Sequence, residues 1–432
     1  PTLIRLKSVI AWPAPNARGT AESHGSALGI EEIAATKKEL GLNPEEHFAF
    51  PSDLLQHARL VKERGAQKHA MWNEKFKDWE KQNPENARLL SRIISGELPK
   101  DWDSLIPTFE SGKDVATRKA SGDVINALAK KLPEMWGGSA DLAGSNNTTI
   151  ESGGSFLPSQ SQMKNANPYG RVIHFGIREH AMGSILNGIA LSGLTKAFGG
   201  TFAVFSDYMR PAVRLAALMK LPSIFIWTHD SIGLGEDGPT HQPVEHFAAL
   251  RAIPDFDVIR PADANEVAAA WRIIIERKKA CGMLLSRQNL PVFDRTKFGS
   301  ADGVARGGYV FKEATSTPVL ILMATGSEVA LAVQSADELE RLGIPTRVVS
   351  IPCFEWFNEQ TQSYKDQILP PSIKARVSIE AGIAQGWREY VGDQGACVSL
   401  EHYGASAGAN TLFKEFGFTV ENVVATAKKI LK

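Results

Sequence analysis

Cysteine is scarce in this 432-residue chain: Cys281, Cys353 and Cys397 stand far apart, with no CxxC pair. That spacing argues against a disulfide frame or a thiolate zinc site and fits a reducing compartment. Excess charge is absent as well. Lys plus Arg number 48 and Asp plus Glu 48, so no global field points to nucleic acid or a membrane surface as a partner. No apolar run is long enough to span a bilayer, and no signal peptide is visible. There is no repeat and no low-complexity tract. An initiator Met is missing, and the chain opens directly on a strand-like run, Leu3–Ile10, so it reads as cut from something longer. What is there, 43% hydrophobic and 22% charged residues, suits a cytoplasmic globular protein with two or three cored domains.

After the opening run, a loop from Trp12 to Gly29 carries His24–Gly25. A short helix follows, with Glu31 and Glu32 in its first turn, Lys37 and Lys38 near its end and Gly41 as its stop, as the helix dipole favours. Pro51–Ser52–Asp53 is expected to cap a long charged helix running to about Gln82. From Val115 the pattern changes. Val124, Ile125, Leu128 and Leu132 recur at helical spacing. Short apolar runs at Met135–Trp136, Val172–Phe175, Ile224–Trp227, Asp257–Ile259 and Met283–Ser286 then alternate with helical patterns. Beyond a Gly-rich seam at 292–308, a second such unit holds Val319–Met323, Arg347–Ile351, Ala375–Ile379 and Cys397–Glu401. The fold class is therefore α/β, with two doubly wound sheet domains at 111–295 and 305–432. A helical connector covers 46–110, and residues 1–45 form the remnant of a third α/β domain.

The chemistry concentrates in THDSIGLGEDGPTHQP, Thr228–Pro243. It follows a buried strand and precedes a helix, so His229, Asp237 and His241 sit on a loop at the carboxyl end of a strand. Open parallel sheets bind ligands there. Ala324–Glu328, after another strand, has the look of a strand-to-helix phosphate loop, but a tight turn is the better reading of it. His174, His180, His246 and His402 read as structural.

That loop with its flank, THDSIGLGEDGPTHQPVEH, together with GGSADLAGSN, HFGIREHAMG, FGGTFAVFSDYMR, LLSRQNLP and His24–Gly25, resembles the transketolase family from one end of the chain to the other. The resemblance implies reversible transfer of a two-carbon ketol unit from a ketose phosphate to an aldose phosphate, on thiamine diphosphate. It also implies a homodimer with active sites at the subunit interface. Glu179 would bond a ring nitrogen of the cofactor's aminopyrimidine, a proton-sharing contact that activates the thiazolium carbon. Without the motif, Glu179 is a first-turn glutamate placed by the dipole. Phe205 would stack on the pyrimidine, with Phe202 and Tyr208 around it; their three-residue spacing alone would mean core packing. Arg118, Ser145, His229 and Arg287 would converge on the substrate phosphate, each unremarkable singly. Asp237 would bond a hydroxyl beside the reacting carbonyl. His241 would face the thiazolium and move protons, and His24 would join from the other side, near substrate hydroxyls and the cofactor. Glu22–Ser23 before His24 and Ser26–Ala27 after it depart from the common family pattern.

The family's Gly-Asp-Gly…Asn segment, which holds a divalent ion such as Mg2+ on the diphosphate, is not found. Gly122–Asp123–Val124 and Gly392–Asp393–Gln394 lack the second glycine. No residue here is assigned as a metal ligand. The chain is expected to lack most of the N-terminal diphosphate-binding domain and to be inactive alone. Dihydroxyacetone synthase, deoxyxylulose phosphate synthase and a non-catalytic dimerising fragment are the alternatives.

Overall fold

The computed structural model describes residues 3–432, in two compact units divided between Ala87 and Arg88. The first unit is loop and helix. Among the described residues it contains no strand, and the Leu3–Ile10 alternation does not form one. Leu3, Ile4 and Leu6 are 94%, 85% and 82% exposed. An alternating run becomes a strand only where a neighbouring strand accepts its hydrogen bonds. Helix α1 (Ile30–Glu39) has the expected charge order and ends at Gly41, whose φ is 69°. The Glu32 carboxylate ties the preceding loop to it, accepting from the Asn16 and Ala17 backbone N–H groups at 2.7 and 2.9 Å. Helix α2 (Ser52–Gln82) ends where the charge pattern does. Its start differs from expectation: Pro51 is the N-cap and no side chain caps the helix, because Ser52 already lies inside the first turn. Helix α3 (Pro84–Ser95) follows.

The first strand of the second unit makes a small antiparallel clasp, β1 (Asp114–Ala116) against what becomes β10 (Asn289–Pro291), next to helix α4 (Thr117–Lys131). Between them run the strands of the large sheet: β2 (Met135–Ser139), β3 (Ser155–Phe156), β4 (Ala166–Asn167), β5 (Val172–His174), β6 (Lys196–Phe202), β7 (Ile224–Thr228), β8 (Asp257–Ile259) and β9 (Cys281–Leu285). Their order is β4-β3-β5-β2-β6-β7-β9-β8, and every pairing is parallel. A parallel sheet needs helices on both faces. The short helix α5 (Ala143–Asn146) follows β2. Helices α6 (Glu179–Leu191) and α7 (Ser206–Leu218) take one face, α4 and α9 (Ala264–Arg277) the other, and α8 (His246–Arg251) precedes β8. Period-two geometry divides the continuous apolar run of β7 between them: Ile224 and Ile226 join the α4/α9 core, Phe225 and Trp227 the α6/α7 core.

Strand β6 was not anticipated, because Phe198-Gly199-Gly200 interrupts its apolar pattern. The glycines are there for space. A Cβ at Gly199 would lie 2.6 Å from Leu186 Cδ1, and one at Gly200 2.7 Å from Thr148 Cγ2. Glycine in a strand marks such close approach.

The second sheet comprises β11 (Tyr309–Lys312), β12 (Leu320–Ala324), β13 (Thr346–Ser350), β14 (Arg376–Ile379) and β15 (Ala396–Val398), in the order β11-β13-β12-β14-β15 with only β11 antiparallel. The two sheets share one apolar core, in which Phe198 and Trp271 belong to the same cluster as Leu322 and Val377. Polar bonds join them too. Glu266 of α9 accepts from Tyr309 Oη at 2.7 Å and Ser350 Oγ at 2.8 Å, and Arg295 in the 292–308 seam reaches Asp263 at 2.6 Å.

The strongest tie is Arg260, 0% exposed, just after β8. Its Nε bonds Asp230 at 2.8 Å, its Nη1 the Thr325 carbonyl at 3.2 Å, and both Nη atoms reach Glu328 at the start of helix α10 (Glu328–Arg341). Residues 324–328 are therefore a closed turn gripping an arginine, the tight-turn alternative to a phosphate loop. Burial opposes the Arg260 charge, but Glu328, Asp230 and Glu380 outweigh it and raise its pKa. For Glu380, burial is likewise outweighed by Arg251 and Arg260, and its pKa falls to about 2. A carboxylate depressed in the folded state contributes stability above its unfolded pKa and loses it as pH falls through the folded one. Folding stability should therefore drop as pH is lowered from about 4.5 to about 2. Arg260→Leu should cost about 3–5 kcal/mol at neutral pH, by leaving buried carboxylates unpaired. Urea unfolding of both proteins across that pH range checks both points.

Candidate active site

Consecutive strands of the large sheet release the candidate residues at its carboxyl edge. Glu179 begins α6 after β5, Ser145 lies in α5 after β2, Phe202 ends β6, His229 follows β7 and Arg287 follows β9. These five strands are adjacent, in the order β5-β2-β6-β7-β9. At about 4.8 Å per strand the edge is roughly 19 Å long.

The middle of this edge is aromatic. Phe202, Phe205 and Tyr208 stack in succession across the turn from β6 into α7, with centroids 5.7 and 5.5 Å apart and planes 11° off parallel. Phe202 is buried, Phe205 half-buried and Tyr208 exposed. His229 lies against Phe202 at 3.7 Å, and His241 meets Phe205 edge-on at 5.6 Å and Phe202 at 6.2 Å. The stripe that spacing alone would assign to a core is thus a stacked ladder ending in two imidazoles.

His229 is under unusual constraint. Its φ is 62°, a left-handed conformation that a non-glycine residue holds only where surrounding structure enforces it. The next residue, Asp230, is gripped by Arg260. Burial, then Arg118, Arg287 and His241, lower the His229 pKa to about 3, so the ring is neutral at physiological pH. Arg118 donates to the Ser145 carbonyl at 2.7 Å; burial and the neighbouring Arg287 hold its pKa below the ordinary value. Two guanidinium groups and two imidazoles thus share one end of the edge.

Glu179 is 7% exposed, and no other group among the described residues hydrogen-bonds its carboxylate. Asp237 is exposed on its loop, and no described contact joins it to the other candidates. The loop itself is braced by Gln242 Nε2, which donates to the Gly235 carbonyl at 2.9 Å and the Ala405 carbonyl at 3.0 Å. His24 belongs to the first unit, where it is exposed in a turn followed by Gly25 at φ 108°. His246, expected to be structural, is buried with Asp207 3.2 Å and Glu245 3.7 Å from its ring nitrogens.

Sequence models of three transketolase domains match the chain: the thiamine diphosphate binding domain over residues 1–99, the pyrimidine binding domain over 113–292 and the transketolase-like C-terminal domain over 307–419. Transketolase from Mycobacterium tuberculosis (strain ATCC 25618 / H37Rv) is 54% identical over 442 residues, covering 100% of this chain. The chain belongs to the transketolase family. It spans 63% of that relative's length, and 64% of the transketolase from Geobacillus stearothermophilus, which is 48% identical. Among solved structures, a Pichia stipitis transketolase complex with sedoheptulose 7-phosphate superposes with a TM-score of 0.93 at 40% identity, over 100% of this chain and 63% of that one. The transketolase of Leishmania mexicana gives 0.88 at 38% identity, over 96% of this chain and 60% of that one. The diphosphate-domain match extends past residue 45, the expected boundary, and takes in α1, α2 and α3.

Reading the sequence missed Ser139, Asn146 and Thr228, which link β2, α5 and β7 by hydrogen bonds ending on His229. All three lie inside quoted motifs, but Asn and Ser there read as turn residues. Their burial, not their type, sets them apart. Because protonation of His229 is resisted in the folded state, lowering pH from about 6.5 to about 3 should erode stability at this residue. Arg118→Met should raise the His229 pKa yet leave it below 6.5, since burial is the larger cause. Nuclear magnetic resonance titration of the imidazole measures the shift.

Proposed function

We propose that this chain carries the pyrimidine- and substrate-binding side of a transketolase, which moves a two-carbon ketol unit between phosphorylated sugars with thiamine diphosphate. The observation that carries the reading is Glu179, a residue 7% exposed whose carboxylate has no hydrogen-bond partner among the described residues, at the start of a helix and on the same sheet edge as an aromatic ladder and two arginines. The body of the side chain is packed while its carboxylate is left free to bond a ligand. An aminopyrimidine suits that carboxylate, offering a ring nitrogen to the acid and a face to Phe205.

The bound cofactor would supply the nucleophilic carbon and the electron sink. The protein's part is to hold and orient. Glu179 shares a proton with the ring nitrogen, while Phe205, flanked by Phe202 and Tyr208, sets the ring plane. Arg118 and Arg287 bind the substrate phosphate bidentately, with Ser145 beside them. His229 reads the same end of the substrate, and Asp237 a hydroxyl near its carbonyl. His241 moves protons there. The reading extends to a cytoplasmic homodimer in the pentose phosphate pathway, with Mg2+ on the diphosphate held by residues outside this sequence.

The test assays this chain with thiamine diphosphate and Mg2+, alone and with a separately expressed diphosphate-binding domain from a relative. Xylulose 5-phosphate is donor; ribose 5-phosphate, formaldehyde and pyruvate are compared as partners. The expected outcome is two-carbon transfer to the aldose phosphate, lowered about 10²–10⁴-fold by Glu179→Gln. Turnover indifferent to that substitution, or none in either arm, overturns the reading.

A further inference from the structure

The proton on His229 can be placed by following one buried hydrogen-bond chain from an end whose polarity is unambiguous. The Gly200 carbonyl can only accept. Ser139 Oγ donates its single hydrogen to that carbonyl at 2.9 Å, leaving its oxygen free to accept. Asn146 Nδ2 donates to Ser139 Oγ at 2.9 Å, which turns the amide oxygen of Asn146 toward Thr228. Thr228 Oγ1 donates to Asn146 Oδ1 at 2.6 Å. With its only hydrogen committed, Thr228 Oγ1 meets His229 Nδ1, 2.8 Å away, as an acceptor, so Nδ1 carries the proton. Ser139, Asn146, Thr228 and His229 are 1%, 0%, 0% and 3% exposed, so water cannot easily reverse the chain.

The far nitrogen follows. Nε2 of the neutral ring is a bare lone pair, and it makes no hydrogen bond to the described residues. It sits in the field of Arg118 and Arg287. A fully ionised phosphate presents only acceptors and would face that lone pair unfavourably. A group that offers an O–H is complementary to it.

We propose that Ser139, Asn146 and Thr228 are positioning residues that fix His229 as its Nδ1–H tautomer, so that Nε2 accepts a hydrogen bond from an O–H of the substrate. The O–H belongs either to a protonated phosphate oxygen or to a sugar hydroxyl. This rests on the sugar-phosphate reading above for its ligand, but the tautomer does not.

The experiment uses the chain with 15N-labelled histidine, and the His229 ring signals are assigned by their loss in His229→Asn. Two-bond 1H–15N correlations should show a protonated Nδ1 and an unprotonated Nε2, unchanged from pH 8 to pH 5. A protonated Nε2 overturns the proposal whatever the ligand. Thr228→Val should give mixed tautomers, and Thr228→Ser should restore Nδ1–H. If the valine variant does not fold, the wild-type spectrum still decides the tautomer. Titrations with inorganic phosphate, which carries an O–H, sulfate, which has none, and ribose then identify the donor. A shift of Nε2 with phosphate at least tenfold more readily than with sulfate assigns the phosphate O–H, and a shift with ribose alone assigns the sugar. Equal response to phosphate and sulfate, or response to none of the three, overturns the recognition half. Failure of the turnover assay with the tautomer and phosphate response intact would sink the transketolase reading and spare this one.

Discussion

The bond between Arg260 and Asp230 is the constraint on which the site depends. Arg260 is wholly buried after β8, and Asp230 is the residue next to His229. Left-handed backbone at a histidine costs on the order of 1–3 kcal/mol and persists only when neighbours over-determine it. Here Asp230 is held on one side and Thr228 on the other, so the peptide between them has little freedom. The same guanidinium grips Thr325 and Glu328, in the turn from β12 of the second sheet into α10. One cation therefore sets the entry to the glycine-rich loop and fastens the two sheets together. A buried ion group of this kind is weak evidence for net stability, since a well-packed apolar set could do as well. Its value lies in specifying one arrangement: an apolar substitute would fill the volume without dictating where Asp230 points.

Much of this was legible in the residues, and the exceptions have physical causes. Continuous apolar runs such as Ile224–Trp227 announced strands covered on both faces, because burial on two sides removes the need for polar alternation. The run Phe198-Gly199-Gly200 hid a central strand, since close packing against Leu186 and Thr148 replaced side chains with space. The Leu3–Ile10 alternation misled in the opposite direction: propensity without a partner strand does not make a sheet. Spacing placed Phe202, Phe205 and Tyr208 on one stripe but could not say whether it faced a core or a cleft; the descent from buried to exposed along the ladder decides that. Asn146 was invisible for another reason. A turn-forming residue type and a buried hydrogen-bond relay look alike until the surrounding strands are in place.

The placement of chemistry along the sheet edge follows from topology alone. Parallel strands deliver their carboxyl ends to the same side, and crossover helices start there with unpaired backbone N–H groups. Each strand contributes one loop, so neighbouring loops carry groups about one strand spacing apart. Glu179 and Arg287 emerge from the outer members of the five-strand series, with Phe202 and its ladder between them. That order sets a place for an aromatic ring beside a place for an anionic group, as the cofactor-and-substrate reading requires, without any special loop length.

Charge then divides the edge in two. At the arginine end, Arg118 and Arg287 raise the local potential, and a protonated imidazole would add a third cation in a poorly solvated place. Burial is the larger cause of the lost proton and repulsion by the two arginines adds to it, so the histidine is neutral at neutral pH. A neutral histidine no longer helps as a charge. It can only serve by direction, as a donor on one nitrogen and an acceptor on the other, and that direction has to come from somewhere. The two arginines supply attraction for an anion regardless of its protonation. The hydroxyl–amide–hydroxyl relay behind His229 supplies the discrimination that attraction alone cannot, because it turns a symmetric choice of tautomers into a single lone pair facing the ligand.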